Sequence, residues 1–178
     1  MIRLFAALAI PDDIAEVLAR RRQGLPGARW RPLDTLHLTL RFFDEIPENQ
    51  AADLDLELDQ IRVEPFDYVL SGAGSFGEGE DVRAIWAGVE ESPALNRLAA
   101  RCETAARRAG LKPENRPYKP HVTLAYLRRA EPARVAAWIQ GHNLLKSPPI
   151  RAHAFGLYSS VPTPDGSHYE LEREYALR

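Results

Sequence analysis

The feature that most restricts this chain is a tetrapeptide written twice, His37-Leu38-Thr39-Leu40 and His121-Val122-Thr123-Leu124. Each copy lies in a short run of β-formers, Leu36 to Phe43 and His121 to Leu127. Side chains alternate across a strand, so the His and Thr of each copy share one face. Leu38, Leu40, Val122 and Leu124 then turn to the other face, into a core. A single H-x-T-x says little, because a histidine in a strand is usually packed or at the surface. Two copies, one in each half, imply two strands that deliver both imidazoles to a shared site.

The rest of the chain reads as a frame for those strands. Ile2 to Ile10 is apolar enough for a buried strand. Pro11-Asp12-Asp13 opens a helix with Ile14, Val17 and Leu18 inside and Gly24 as its stop. Trp30 leads into the first motif strand, which ends near Asp44. Pro47 to Ile61 is ambiguous: Leu54, Leu56 and Leu58 alternate as in a strand, whereas Ala51, Leu54, Leu58 and Ile61 share a helical face. The Pro47 start favours the helix. Phe66 to Ser75 and Arg83 to Val89 read as two strands around Gly77-Glu78-Gly79-Glu80-Asp81. That turn carries acids and no following Lys-Ser/Thr, so it is no phosphate cradle.

Ser92 to Gly110 is the clearest helix, with Ser92 as cap, Pro93 in the first turn and Gly110 as stop. Its apolar stripe includes Leu95, Leu98, Ala99, Cys102, Ala105, Ala106 and Ala109. Pro117 and Pro120 hold extended backbone before His121 and present it from a stiff approach. Pro132 to Gln140 is a short helix, and Ile150 to Ser160 with Ser167 to Leu177 form a closing strand pair. The two halves repeat one plan, which predicts an α+β fold of two similar lobes spanning residues 1–178 as one domain.

Composition narrows the function. A hydrophobic fraction of 45% and a net charge of −2 describe an ordinary globular chain with no global positive field to attract nucleic acid. Any RNA contact must come from a local patch. The single Cys102 leaves no internal disulfide and no cysteine zinc site, and its place on a helix stripe predicts burial. No stretch reaches the roughly 20 apolar residues of a membrane span. Leu4 to Ile10 runs straight into a helix start and reads as a strand rather than a signal peptide, so a soluble, cytoplasmic monomer is expected. The acids Asp53, Asp55, Glu57 and Asp59 read as a solvated helix side. Neither motif histidine has the partners of a metal site, and no G-x-S-x-G elbow is present.

Histidine is the side chain that gains and loses a proton near neutrality. Two facing one substrate can divide the work: a neutral ring takes a proton from the nucleophile while a charged ring gives one to the leaving oxygen. Threonine hydroxyls on the same face can donate to a non-bridging phosphate oxygen. The motif pair is therefore read as an acid–base centre for a phosphodiester, with His142, His153 and His168 structural or exposed.

These residues resemble the 2H phosphoesterase superfamily and, within it, the bacterial and archaeal RNA 2′,3′-cyclic phosphodiesterases, also called LigT or 2′-5′ RNA ligases. The likeness runs through Arg3-Leu4-Phe5, His37 to Phe43, Asn115-Arg116-Pro117-Tyr118-Lys119-Pro120-His121-Val122-Thr123-Leu124, and Phe155 to Leu177. The resemblance implies a bilobal pseudo-twofold fold, two mainly antiparallel sheets facing a central groove with helices outside. It implies no metal or other cofactor, and hydrolysis of a terminal 2′,3′-cyclic phosphate to a 2′-phosphate, with 2′-5′ ligation when a 5′-hydroxyl replaces water. His37 would be the proton donor, His121 the acceptor, and Thr39 and Thr123 would hold the phosphate. RNA ends or small cyclic nucleotides would be the partners, with no membrane and no obligate protein.

The chain departs from the family where it carries Arg41, where it carries Asp44, and at Tyr126, where family members often have Arg. A phosphate-binding cation is thus expected to have moved. Alternation puts Arg41 beside His37 and Thr39, which makes it the first candidate; Arg128 or Arg129 is the alternative if the strand bulges. Arg116, Tyr118 and Tyr126 complete the expected substrate contacts. Phe5, Phe43 and Tyr118 are open to base stacking or to core packing. The rival readings are a phosphodiesterase for 2′-5′ oligoadenylates, a non-catalytic module that binds RNA ends, and a metal-dependent hydrolase.

Overall fold

The structure, a computed structural model, describes residues 1–178. Ten strands and four helices follow in the order β1 (Ile2–Ala9), α1 (Asp12–Ala19), β2 (Arg29–Trp30), β3 (His37–Ile46), α2 (Glu48–Asp59), β4 (Phe66–Tyr68), β5 (Leu70–Phe76), β6 (Ala84–Val89), α3 (Pro93–Arg108), β7 (His121–Tyr126), α4 (Pro132–His142), β8 (Ile150–Ala152), β9 (Ala154–Thr163) and β10 (Gly166–Ala176). They build two four-stranded sheets, β10-β9-β1-β3 and β2-β7-β6-β5, plus a ribbon of β4 and β8. Every pairing is antiparallel. This is the expected α+β architecture.

The repeat is visible in the connections. β1–α1–β3 and β6–α3–β7 are both strand–helix–strand units whose strands pair antiparallel, and the second strand of each carries a motif. Leu38 and Val122 are fully buried, and Leu40 and Leu124 nearly so, as alternation requires. Burying each such side chain contributes on the order of 2 kcal/mol. The core is therefore built by the same residues that aim the histidines outward.

The helices obey their local signals. The Ser92 side chain accepts from the Leu95 N–H at 3.2 Å, Pro93 fills the first turn, and Gly110 takes a positive φ of 82° after the last turn. The Leu111 N–H then reaches back to the Ala106 carbonyl at 2.9 Å and closes the helix end. Cys102 is buried in the stripe, which pushes its thiol up to about 12. Residues 48–59 are helical: Leu54 and Leu58 are buried while Leu56 is 61% exposed, a split that no strand would produce.

Three expectations need correction. α1 ends at Ala19, five residues before Gly24. The runs Phe66 to Ser75 and Ile150 to Ser160 each divide into two strands that join different sheets. Alternation reports which face a residue takes and carries no information about which sheet a strand enters. A two-residue strand, β2, also adds to the edge of the second sheet beside β7.

Candidate active site

β3 and β7 lie on either side of a groove of about 460 Å³, and His37, Thr39, His121 and Thr123 all line it. Each ring is held in the same way. His37 Nδ1 lies 2.7 Å from the Thr35 carbonyl, and His121 Nδ1 lies 2.7 Å from the Lys119 carbonyl. A carbonyl can only accept, so Nδ1 carries the hydrogen in both neutral rings and Nε2 keeps its lone pair. Both holding carbonyls come from the residue two before the histidine. The doubled motif thus yields a doubled local geometry.

The surroundings differ. His37 packs against Phe5, with ring centroids 4.8 Å apart, and meets the edge of Tyr169 at 5.2 Å. Burial drives its pKa down to about 4; the Arg31 and His121 charges add to the fall, and the Thr35 carbonyl opposes it. His121 meets Phe76 edge-on at 4.6 Å and Trp86 at 6.1 Å. Its pKa is also lowered by burial, with the Lys119 ammonium adding to the fall and the Lys119 carbonyl opposing it. Trp86 can lie flat here because Gly74 has no side chain; a Cβ there would come within 2.3 Å of the indole. In the free groove both rings are neutral near pH 7. A phosphate anion between them works in the opposite direction and favours a proton on one of them.

Each motif strand carries a bulge at the same point. β1 pairs Ala7 with Thr39 and Ala6 with Arg41, which leaves Leu40 unmatched. β6 pairs Trp86 with Thr123 and Ile85 with Ala125, which leaves Leu124 unmatched. An extra residue reverses the alternation beyond it. The fifth residue after each histidine, Phe42 or Tyr126, consequently returns to the groove, and the fourth does not.

This overturns the placement of Arg41 beside His37 and Thr39. Its side chain is 10% exposed and turns to the helix layer, where Nε pairs with Glu103 of α3 and Nη2 donates to the Lys112 carbonyl at 2.7 Å. Arg116 is also committed elsewhere, to the Glu114 carboxylate at 2.9 Å, and lies outside the groove lining. Arg128 and Arg129 follow the end of β7, exposed and away from the lining. Tyr118 donates to the Thr39 carbonyl at 2.8 Å, so it braces one motif strand from the approach to the other. Phe43 is a core residue, 3% exposed, whereas Phe5, 2% exposed, lies at the groove lining against His37. Tyr126 does line the groove.

Arginines that the sequence reading passed over stand there instead. Arg3, Arg31 and Arg83 line the groove, with Asp44 the acid among them. They form the local positive patch that the overall charge of −2 conceals. Arg31 is the buried one, placed by β2 and tied to β7 by its N–H to the Leu124 carbonyl at 2.8 Å. The available signal was Arg29-Trp30-Arg31, an alternation that puts two arginines opposite an inward tryptophan just before the first motif. No group of three His, Cys, Asp or Glu side chains gathers as metal ligands would. Proton transfer and hydrogen-bond donation are what this groove offers a substrate.

Comparison with known proteins places the whole chain among relatives of one family. An RNA 2′,3′-cyclic phosphodiesterase of Thermus thermophilus is 33% identical over 99% of this chain and 91% of its own length. One from Archaeoglobus fulgidus is 27% identical over 95% of this chain and 97% of its own. The crystal structure of E. coli LigT complexed with 3′-AMP superposes with a TM-score of 0.79, at 30% identity, covering 99% of this chain and 98% of that one. The model of the 2′-5′ RNA ligase superfamily matches residues 10–160, a stretch that contains both motif strands. The chain therefore belongs to the 2′-5′ RNA ligase superfamily.

Proposed function

We propose that the protein is an RNA 2′,3′-cyclic phosphodiesterase that opens a terminal 2′,3′-cyclic phosphate to a 2′-phosphomonoester by two-histidine acid–base catalysis without a metal. The observation that carries this reading is the pair of rings, each fixed through Nδ1 by a carbonyl and each lining one groove with its threonine. Water attacks phosphorus, the P–O3′ bond breaks, and the product holds its phosphate on O2′. His121 Nε2 takes the proton from water. His37 gives a proton to O3′ as it leaves. Thr39 and Thr123 donate to the non-bridging oxygens, where charge grows as water adds.

The assignment of donor and acceptor follows the family resemblance, and the electrostatics add a condition. His37 is the harder ring to protonate in the free groove. Its proton must come with the phosphate, whose negative charge offsets the burial. A 5′-hydroxyl in place of water would use the same transfers to form a 2′-5′ linkage.

The test is incubation with a 2′,3′-cyclic nucleotide in excess EDTA and identification of the product. A 2′-phosphate made at the same rate with and without chelator supports the reading, with turnover falling to background in His37→Ala and His121→Ala. A chelator-sensitive reaction, or saturable binding with no turnover, overturns it.

A further inference from the structure

Three arginines near the motif strands have carboxylate partners. Arg41 has Glu103, Arg116 has Glu114, and Arg3 reaches Glu45 at 3.9 Å. Arg31 differs in having no such partner. It is 9% exposed, no ion pair of the chain includes it, and its Nη2 is hidden from water without any acceptor.

Such a group is costly. A buried donor with no partner forfeits its hydration, and a buried charge with no counter-ion forfeits more. What surrounds the guanidinium compensates for only part of this. Its central carbon lies 5.4 Å from the ring centroids of both Tyr126 and Tyr169. Cation–π contacts of this kind attract the charge, yet they accept no hydrogen bond. They do hold the stem in place, one ring from each of the two sheets. The Gly166 turn of the first sheet lies alongside, its would-be Cβ 3.9 Å from Nη1. A cation has been carried into the groove, fixed between two rings, and left unneutralised.

Position says what the missing partner is. Arg31 lines the same groove as both histidines and both threonines, and its backbone is bonded to the residue just after Thr123. We infer that Arg31 is the phosphate-holding cation of this site, supplying to a non-bridging oxygen the charge that Arg41, turned to the helix layer, does not provide. The inference rests on the phosphodiesterase reading for its substrate and on the groove geometry alone for its anion. Arg83 and Arg3 line the groove from exposed positions, where a charge is screened by water and by salt. A guanidinium also presents paired donors in a fixed plane, which suits a phosphate better than a point charge.

The experiment compares wild type with Arg31→Ala, Arg31→Gln and Arg31→Lys. Two readouts are taken: turnover of a 2′,3′-cyclic nucleotide, and affinity for inorganic phosphate, followed through the ring signals of His37 and His121 by NMR. Loss of a preorganised donor of this kind lowers rates on the order of 10²–10³-fold. That loss in kcat/KM is expected for Arg31→Ala and Arg31→Gln, a smaller one for Arg31→Lys, and partial restoration of Arg31→Ala by added guanidinium. Phosphate affinity should fall at least about tenfold in the variants that lack the charge. Arg31→Gln keeps a stem between the tyrosines, so it decides the matter if Arg31→Ala fails to fold.

A folded Arg31→Gln with wild-type kcat/KM and wild-type phosphate affinity overturns the inference. If wild type turns over no cyclic nucleotide, the functional reading fails and the phosphate titration still decides Arg31. Phosphate shifts at the two rings that vanish in Arg31→Gln uphold its role as an anion holder; shifts that persist unchanged refute it.

Discussion

The two motif strands are alike in backbone and unlike in surroundings. Both hold Nδ1 on the carbonyl two residues back, both bury the second and fourth residues, and both bulge at the leucine after threonine. Yet β3 lies at the edge of its sheet and β7 lies inside its own. His37 sits deeper, between Phe5 and Tyr169 and within the field of Arg31, whereas His121 stands on Trp86 with Lys119 nearby. Repetition sets the geometry, and the shells around it set the proton affinities. The two rings therefore differ in proton affinity before any ligand enters the groove.

The sharpest way to break this comparison is to remove one ring at a time. His37→Ala and His121→Ala should each lower kcat/KM by about 10²–10⁴-fold. The double variant should be little worse than either single one, because paired acid–base groups act as a unit. Losses that multiply would show that the halves act independently. Next come the threonines: Thr39→Ala and Thr123→Ala should each cost on the order of 10²-fold in kcat. An unequal result would show which half holds the oxygen on which charge grows.

Titration sharpens the same contrast without mutation. Followed by NMR, His37 should titrate near pH 4 in the free protein, with His121 also below 6.5. Added phosphate should move His37 upward. The sign of the stability effect follows: the unfolded chain binds the proton more readily, so His37 favours folding above about 6.5 and progressively less as pH falls toward about 4. A melting temperature that rises on acidification through that window would contradict the buried, neutral ring.

The smallest effect on catalysis is expected at Arg41. Arg41→Ala leaves Glu103 without its partly buried partner and should destabilise the fold by about 1–3 kcal/mol, read from denaturant unfolding. Catalysis should stay within about twofold, below any change that loss of a phosphate contact would cause.

Much of this molecule could be read before its coordinates. The strands, the Ser92 cap, the Gly110 stop and the buried leucines follow from local chemistry that acts over a few residues. The motif residues were legible because alternation is enforced by the backbone itself. What failed to show was where alternation slips. Nothing in Leu40 or Leu124 marks a bulge, since an extra leucine in an apolar run is compatible with either register. The slip at Leu40 moved Arg41 off the site, and the slip at Leu124 brought Tyr126 onto it. Arg31 was missed for a related reason: a strand of two residues has no periodicity to detect, and its value comes from a partner strand nearly a hundred residues later in the chain.

The paired bulges also bear on how this groove can change over time. They divide neighbouring positions into those that turn to the scaffold, Arg41 and Ala125, and those that face the groove, Phe42 and Tyr126. A lineage that adapts to a new ligand can change the groove at Phe42, 56% exposed, more readily than at Tyr126, whose ring holds the Arg31 guanidinium. Variation at the former pair unsettles the frame and leaves the choice of ligand untouched.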